Sequence, residues 1–185
     1  MEDESYPKDI RPDHGETLLV GENEVSIPSI NLVFSRWRGE PIQYTFGGKP
    51  IIDYEGKAMF VELAIMNMAI RNGWSARWVE TYGSKSIEPF YFTDWLDAPL
   101  RQQGSQPLDS SYHRDLLAKI ASQNGGVYLG CWDILAWREQ RTLFIESKQY
   151  KKDKIRDSQV KWLTSALSVG LEPHNFLIAQ WSFDD

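Results

Sequence analysis

The sequence predicts a mixed α/β domain, a sheet with helices packed against it, and three observations carry that prediction. The chain has 185 residues, of which 42% are hydrophobic and 25% charged. A chain of that size can bury about 70% of the surface exposed by its unfolded form, so one self-sufficient core is expected. From Tyr54 onward the apolar patterning reads helix, strand, helix, strand, strand, helix, strand. Two β-rich apolar segments are separated only by Arg138-Glu139-Gln140-Arg141, a turn-length polar stretch that marks a hairpin.

Taken in order, the first fifteen or so residues read as a solvated tail. Residues 1–24 hold Glu2, Asp3, Glu4, Asp9, Asp13, Glu16, Glu22 and Glu24 against Lys8 and Arg11, which accounts for the whole net charge of -6. The remainder of the chain is neutral. Glu24 to Phe46, punctuated by Pro28 and Pro41, reads as two or three short strands. Tyr54 to Asn72 carries a dense apolar pattern and stops at Gly73, which suits the left-handed turn that ends helices. Ser75 to Tyr82 alternates as a strand, and residues 84–126 begin as an irregular excursion rich in Pro and aromatics. Within it Asp109 or Ser110 can cap a helix with the stripe Leu116, Leu117 and Ile120, ended by Asn124-Gly125-Gly126. Val127 to Trp137 and Thr142 to Lys148 form the hairpin, Ile155 to Val169 a helix, and Asn175 to Phe183 the last strand.

The composition narrows the function. A single cysteine, Cys131, excludes an internal disulfide and a multi-cysteine zinc site and points to a reducing compartment. The longest apolar run, Met59 to Ile70, is interrupted by Glu62 and Asn67 and is too short to span a bilayer. With no signal-like start, a cytoplasmic protein without a membrane partner is expected. Gly47-Gly48-Lys49 lacks the upstream glycine and the Ser/Thr of a phosphate-cradling loop, and no Gly-x-Gly-x-x-Gly occurs, so no nucleotide cofactor is expected. His14, His113 and His174 stand apart from other ligand types and read as surface or cap residues.

The chemistry gathers in the hairpin. Centring its turn between Glu139 and Gln140 opposes Trp137 to Thr142, Leu135 to Phe144 and Asp133 to Glu146. Period-two alternation puts Asp133, Glu146 and Lys148 on one face, with Ile134, Ala136, Leu143 and Ile145 on the other. Opposed carboxylates in an apolar strand pair need a cation or a proton, and a hard divalent ion takes one or two carboxylates while leaving positions for water and phosphate. Lys148 could then hold or polarise a water at the site. The same spacing also fits a surface Glu146–Lys148 pair with Asp133 ending its strand. On the next helix Gln159 falls on the apolar stripe, facing either the site or nearby backbone.

Asp133, then Glu146-Ser147-Lys148, then Asp153, Gln159 and Trp162-Leu163 resemble the PD-(D/E)XK nucleases, and specifically their virus-type replication-repair nuclease branch, whose pattern is an Asp, Glu-x-Lys, an Asp and a Gln followed by Trp-Leu. The resemblance covers roughly residues 57–82 and 127–182 and is strongest from Phe144 to Leu163. It implies a restriction-endonuclease-like mixed central sheet flanked by helices, with extra N-terminal strands and an insertion at 84–126 before the catalytic hairpin. By the same resemblance Asp133 and Glu146 bind Mg²⁺ or Mn²⁺, the Ser147 carbonyl completes the set, Lys148 orients or activates water, and Gln159 lines the site. Glu62 stands where many members place a further acid, although a helix can also turn one Glu to solvent. Trp132 replaces a proline common before the first Asp.

The implied activity is metal-dependent hydrolysis of phosphodiester bonds in DNA, structured or branched DNA included, in replication, repair or phage-related processing. Lys151, Lys152, Lys154 and Arg156, which alone would pass for a wet helix start, then read as a track for the phosphate backbone. Stand-alone members of that branch can act as dimers on branched DNA, so a homodimer is one expected assembly, though no feature of the sequence fixes its surface. Two other readings stay open: a nuclease-fold module without turnover that binds nucleic acid or protein, and an acidic tail that mimics DNA over the basic site.

Overall fold

A computed structural model describes residues 5–81 and 88–184. Among them, nine strands form one mixed sheet in the order β4-β3-β2-β9-β8-β7-β5-β6, with β1 paired to β2, and three α-helices flank it. The strands are β1 (His14–Val20), β2 (Asn23–Arg36), β3 (Ile52–Tyr54), β4 (Lys57–Met59), β5 (Ser75–Glu80), β6 (Phe90–Phe92), β7 (Ile134–Arg138), β8 (Arg141–Gln149) and β9 (Phe176–Phe183). The helices are α1 (Val61–Arg71), α2 (Ser111–Gln123) and α3 (Asp157–Ser168). The pairs β5–β7 and β7–β8 are antiparallel, whereas β8, β9 and β2 run parallel to one another.

The sheet separates two apolar layers. Ile134, Ala136, Leu143 and Ile145 pack with Leu63, Ile65 and Met66 of α1 on one face. Leu135, Trp137 and Phe144 pack with Leu117 and Ile120 of α2 and with Trp162 and Leu163 of α3 on the other. This is the alternation expected from the sequence, and the hairpin register agrees, from Arg138 opposite Arg141 to Ile134 opposite Ile145. Glu139 takes φ 58° in the two-residue turn, a left-handed conformation that such hairpins require. The Ser110 hydroxyl accepts from the His113 N–H and caps α2, as predicted.

Several boundaries differ. The helix expected from Tyr54 starts at Val61, because Glu55 and Gly56, at φ 55° and 79°, turn β3 back into β4. The short strands expected between Glu24 and Phe46 are the single fourteen-residue β2, which exchanges partners along its length: β1 at its start, β9 in its middle and β3 at its end. The strand expected from Val127 begins only at Ile134, and the excursion contributes β6 to the sheet beside β5.

The tail is also shorter than fifteen residues. Tyr6 and Ile10 are buried, Ile10 completely. Asp9 ties this segment to α1, its carboxylate accepting from the Arg71 guanidinium (2.9 Å) and from Asn72 Nδ2 (2.8 Å). The acids Glu2, Asp3 and Glu4, like the expected strand end at Tyr82, lie outside the described residues. No helix among the described residues is long and apolar enough to cross a membrane.

Candidate active site

The site forms where one strand outruns another. β8 stays paired with β9 as far as Gln149, but its pairing with β7 ends at Ile145. Beyond Ile134 the chain of β7 leaves the ladder, so residues 146–149 of β8 keep a strand neighbour on one side only. A cleft of about 870 Å³ opens in the gap, and Glu62, Asp133, Glu146, Ser147, Lys148, Gln159 and Arg156 all line it. Lys151, Lys152 and Lys154 are exposed and stand outside the lining.

Asp133 and Glu146 are not simple facing rungs; they interlock. The backbone N–H of Asp133 donates to Glu146 Oε2 at 3.2 Å. In return, Asp133 Oδ2 accepts from the Ser147 N–H at 3.0 Å and the Ser147 hydroxyl at 3.1 Å. Each carboxylate thus satisfies backbone that the ended ladder leaves open, which is the reason two acids can sit at this point. The Asp133 carbonyl is held as well, accepting from the Val79 N–H of β5 at 2.7 Å.

Glu146 is 1% exposed. Burial, and then the charge of Asp133, push its carboxyl up to about 8, against the opposing pull of Lys148. Lys148 Nζ lies 2.6 Å from Glu146 Oε1. Gln159 reaches the same oxygen with Nε2, while its Oε1 accepts from the Arg156 N–H at 2.9 Å. Both expectations for this amide are therefore met at once: it caps the first turn of α3 and it lines the site. α3 can sit this close because residue 130 is glycine, at φ 88°, where a Cβ would lie 2.0 Å from the Ser158 carbonyl oxygen. The residue before it is held too, since Asn124 Nδ2 donates to the carbonyls of Val127 and Leu129, each at 2.9 Å.

Glu62 faces the cleft from α1 and not solvent, and it is ion-paired with Lys49. Burial raises the Glu62 carboxyl above the ordinary range, Lys49 lowers it and Asp133 raises it further. Burial also pulls on the Lys49 ammonium, but Glu62 and Asp133 outweigh that and hold its pKa above the usual value. Sequence reasoning misses Lys49, because in Gly47-Gly48-Lys49 the only legible pattern is an incomplete phosphate-cradling loop. Glu80, at the end of β5, is missed too. The available signal is an acid closing the strand that precedes the excursion, just after the apolar pair Trp78-Val79. Cys131 is a buried thiol in the lining, raised by burial and by the nearby acids, as a packed cysteine should be.

Among the described residues, no group of three or more His, Cys, Asp or Glu side chains is arranged to hold a metal ion. The donors that fit a hard cation are the interlocked pair, Asp133 and Glu146, and hard divalent ions bound by one or two carboxylates draw their remaining ligands from water and substrate. Charge supports the same fit. The lining carries Glu62, Glu80, Asp133, Glu146 and Asp153 against Lys49, Lys148 and Arg156, which, all ionised, leaves two negative charges. One divalent ion would neutralise them. Comparison of the chain with protein-family models, with curated proteins and with solved structures finds no match.

Proposed function

We propose that this protein is a metal-dependent nuclease of the PD-(D/E)XK type with a restriction-endonuclease-like sheet, hydrolysing phosphodiester bonds in DNA. The observation that carries the reading is the interlocked Asp133–Glu146 pair, with Lys148 2.6 Å from Glu146, in the gap where β8 outruns β7. A buried acid and a buried lysine beside a half-buried second acid are costly to place together without function, since each buried charge loses its hydration. Asp133 and Glu146 would hold Mg²⁺ or Mn²⁺. Bound there, the ion supplies charge neutralisation at the phosphate and a more acidic water.

The chain's own residues do the rest. Lys148 holds the attacking water by its ammonium and is itself oriented by Glu146. Gln159 fixes the rotamer of Glu146 from α3, so the acid points into the cleft. Arg156, at the start of α3, contacts the phosphate backbone at the cleft edge, and exposed Lys151, Lys152 and Lys154 extend that positive rim. In the hydrolysis the water oxygen bonds to phosphorus, one ester P–O bond breaks, and the two new ends are a phosphate and an alcohol.

The test is incubation of the purified protein with plasmid, branched and single-stranded DNA in Mg²⁺, Mn²⁺ or EDTA. Cleavage is expected with either metal and not in EDTA, and Glu146→Ala should reduce it by at least about 100-fold. Undiminished cleavage by that variant would sink the proposed site. A second reading, a module that binds without turnover, is favoured by one observation: Lys148 and Gln159 both already occupy Glu146 Oε1. Wild-type protein that binds DNA but leaves it intact with both metals would select that reading.

A further inference from the structure

We infer that Lys49 is a phosphate-contacting residue of the cleft, presented from the α1 side while Lys148 and Arg156 approach from β8 and α3. The inference rests on the nuclease reading above and extends it to a residue outside the stretch that resembles the nuclease family.

The loop that carries Lys49 is shaped at some conformational cost. Phe46, Gly47 and Gly48 are three successive left-handed residues, at φ 46°, 80° and 85°, and for the non-glycine Phe46 that conformation is unfavourable. The turn closes with the Lys49 N–H donating to the Thr45 carbonyl at 2.9 Å, and it directs the side chain into the cleft. The preceding residues are clamped from a distant segment. Asp97 accepts from the N–H groups of Gln43 (3.0 Å) and Tyr44 (2.8 Å), and Trp95 Nε1 donates to the Tyr44 carbonyl at 2.8 Å. The Phe46 ring meets Trp95 and Trp78 edge-on, with centroids 5.4 and 5.8 Å apart.

The ion pair itself is asymmetric. The Glu62 side chain is 9% exposed and that of Lys49 29%, so the cation is the member that opens to the cleft. A buried ion pair is a weak source of stability, because an apolar pair of similar volume often does as well or better. The Phe46 contacts account for the loop's packing, but stability gives no reason for the ammonium that the loop brings to this wall. A polyanion entering the cleft does: its phosphates meet Arg156 on one side and need a partner on the other.

The test measures binding of a fluorescently labelled DNA duplex in EDTA over a range of salt concentrations, by anisotropy. Because Lys49→Met alone would leave Glu62 buried and unpaired, the double variant Lys49→Met/Glu62→Gln is used, with its fold checked by circular dichroism. Its plot of log affinity against log salt should be shallower than wild type by about 0.9, the loss of one phosphate contact. Lys49→Arg should keep the wild-type slope, as should Lys119→Met, which alters an exposed lysine of α2 outside the cleft lining. A folded double variant with the wild-type slope would overturn the role of Lys49 and leave the nuclease reading standing. A second measurement needs no variant: DNA should protect Lys49, but not Lys119, from an amine-modifying reagent in wild-type protein, and equal labelling of Lys49 with and without DNA would count against the inference. Wild-type protein with neither salt-dependent DNA binding nor metal-dependent cleavage would overturn the nuclease reading and this inference with it.

Discussion

Glu146 shows how one residue can be held ready for a cation by its neighbours. Its carboxylate is buried, accepts from the Asp133 N–H, and shares Oε1 between Lys148 and Gln159. Gln159→Ala removes the amide that joins Glu146 to the first turn of α3. The variant should lose about 1–2 kcal/mol in urea unfolding and about tenfold in cleavage rate; unchanged values of both would show that the amide is dispensable. His113 offers a prediction away from the cleft. It is fully buried, with its ring nitrogens 2.7 Å from the Ser110 hydroxyl and 3.1 Å from the Thr142 hydroxyl. Burial lowers its pKa below the ordinary 6.5. The unfolded chain therefore takes up a proton that the folded chain resists, so this contribution is present above about pH 6.5 and is lost as the pH falls below it. The urea midpoint should drop between pH 7.5 and 5.5 by more in wild type than in His113→Gln, and parallel curves would refute the assignment.

At the scale of elements, the site depends on two chain segments that are not regular structure. Residues 124–133 leave α2, approach α3 at Gly130 and deliver Asp133 to the start of β7. Gly130→Ala meets both a left-handed backbone and the Ser158 carbonyl 2.0 Å away, so α3 must shift. The expected loss is at least about 2 kcal/mol, read as a fall in melting temperature, together with loss of cleavage because Gln159 moves with α3; a variant with normal melting would show that the loop yields instead. The second segment is the loop ending at Lys49, which Asp97 secures through the N–H groups of Gln43 and Tyr44. Asp97→Ala should speed limited proteolysis between Trp37 and Pro50 without altering cutting elsewhere. Resistance equal to wild type would mean that the Trp95 and Phe46 contacts suffice.

For the molecule as a whole, the sheet divides the labour. The α1 face carries Glu62 and Lys49, the α2/α3 face carries the surroundings of Gln159, and the interlocked acids stand at the strand end between them. The N-terminal segment belongs to the α1 face. Removing residues 1–10 takes Tyr6 and Ile10 out of the core, and about 3–5 kcal/mol of stability should go with them. An unchanged thermal midpoint would contradict that packing. Deletion of residues 1–15 is consequently no clean test of an acidic tail that mimics DNA, because it also cuts into β1.

The sequence by itself determined the alternation of the hairpin and its register from Arg138 to Ile145, narrowed the cap of α2 to Asp109 or Ser110, and set Asp133, Glu146 and Lys148 on one strand face and Gln159 on the apolar stripe of α3. All of these follow from local rules: period two in strands, 3.6 in helices, and side chains that satisfy the ends of helices. It did not reveal that β7 stops one rung short of the acids, since an apolar run reads the same whether its last residues are paired or leave the sheet. Nor did it show Glu62 facing Lys49 across thirteen residues of chain, or Tyr6 and Ile10 buried in the core from within an acidic stretch of sequence. Those relations are fixed by which segments the folded sheet and its helices bring into contact, and only the tertiary structure decided them.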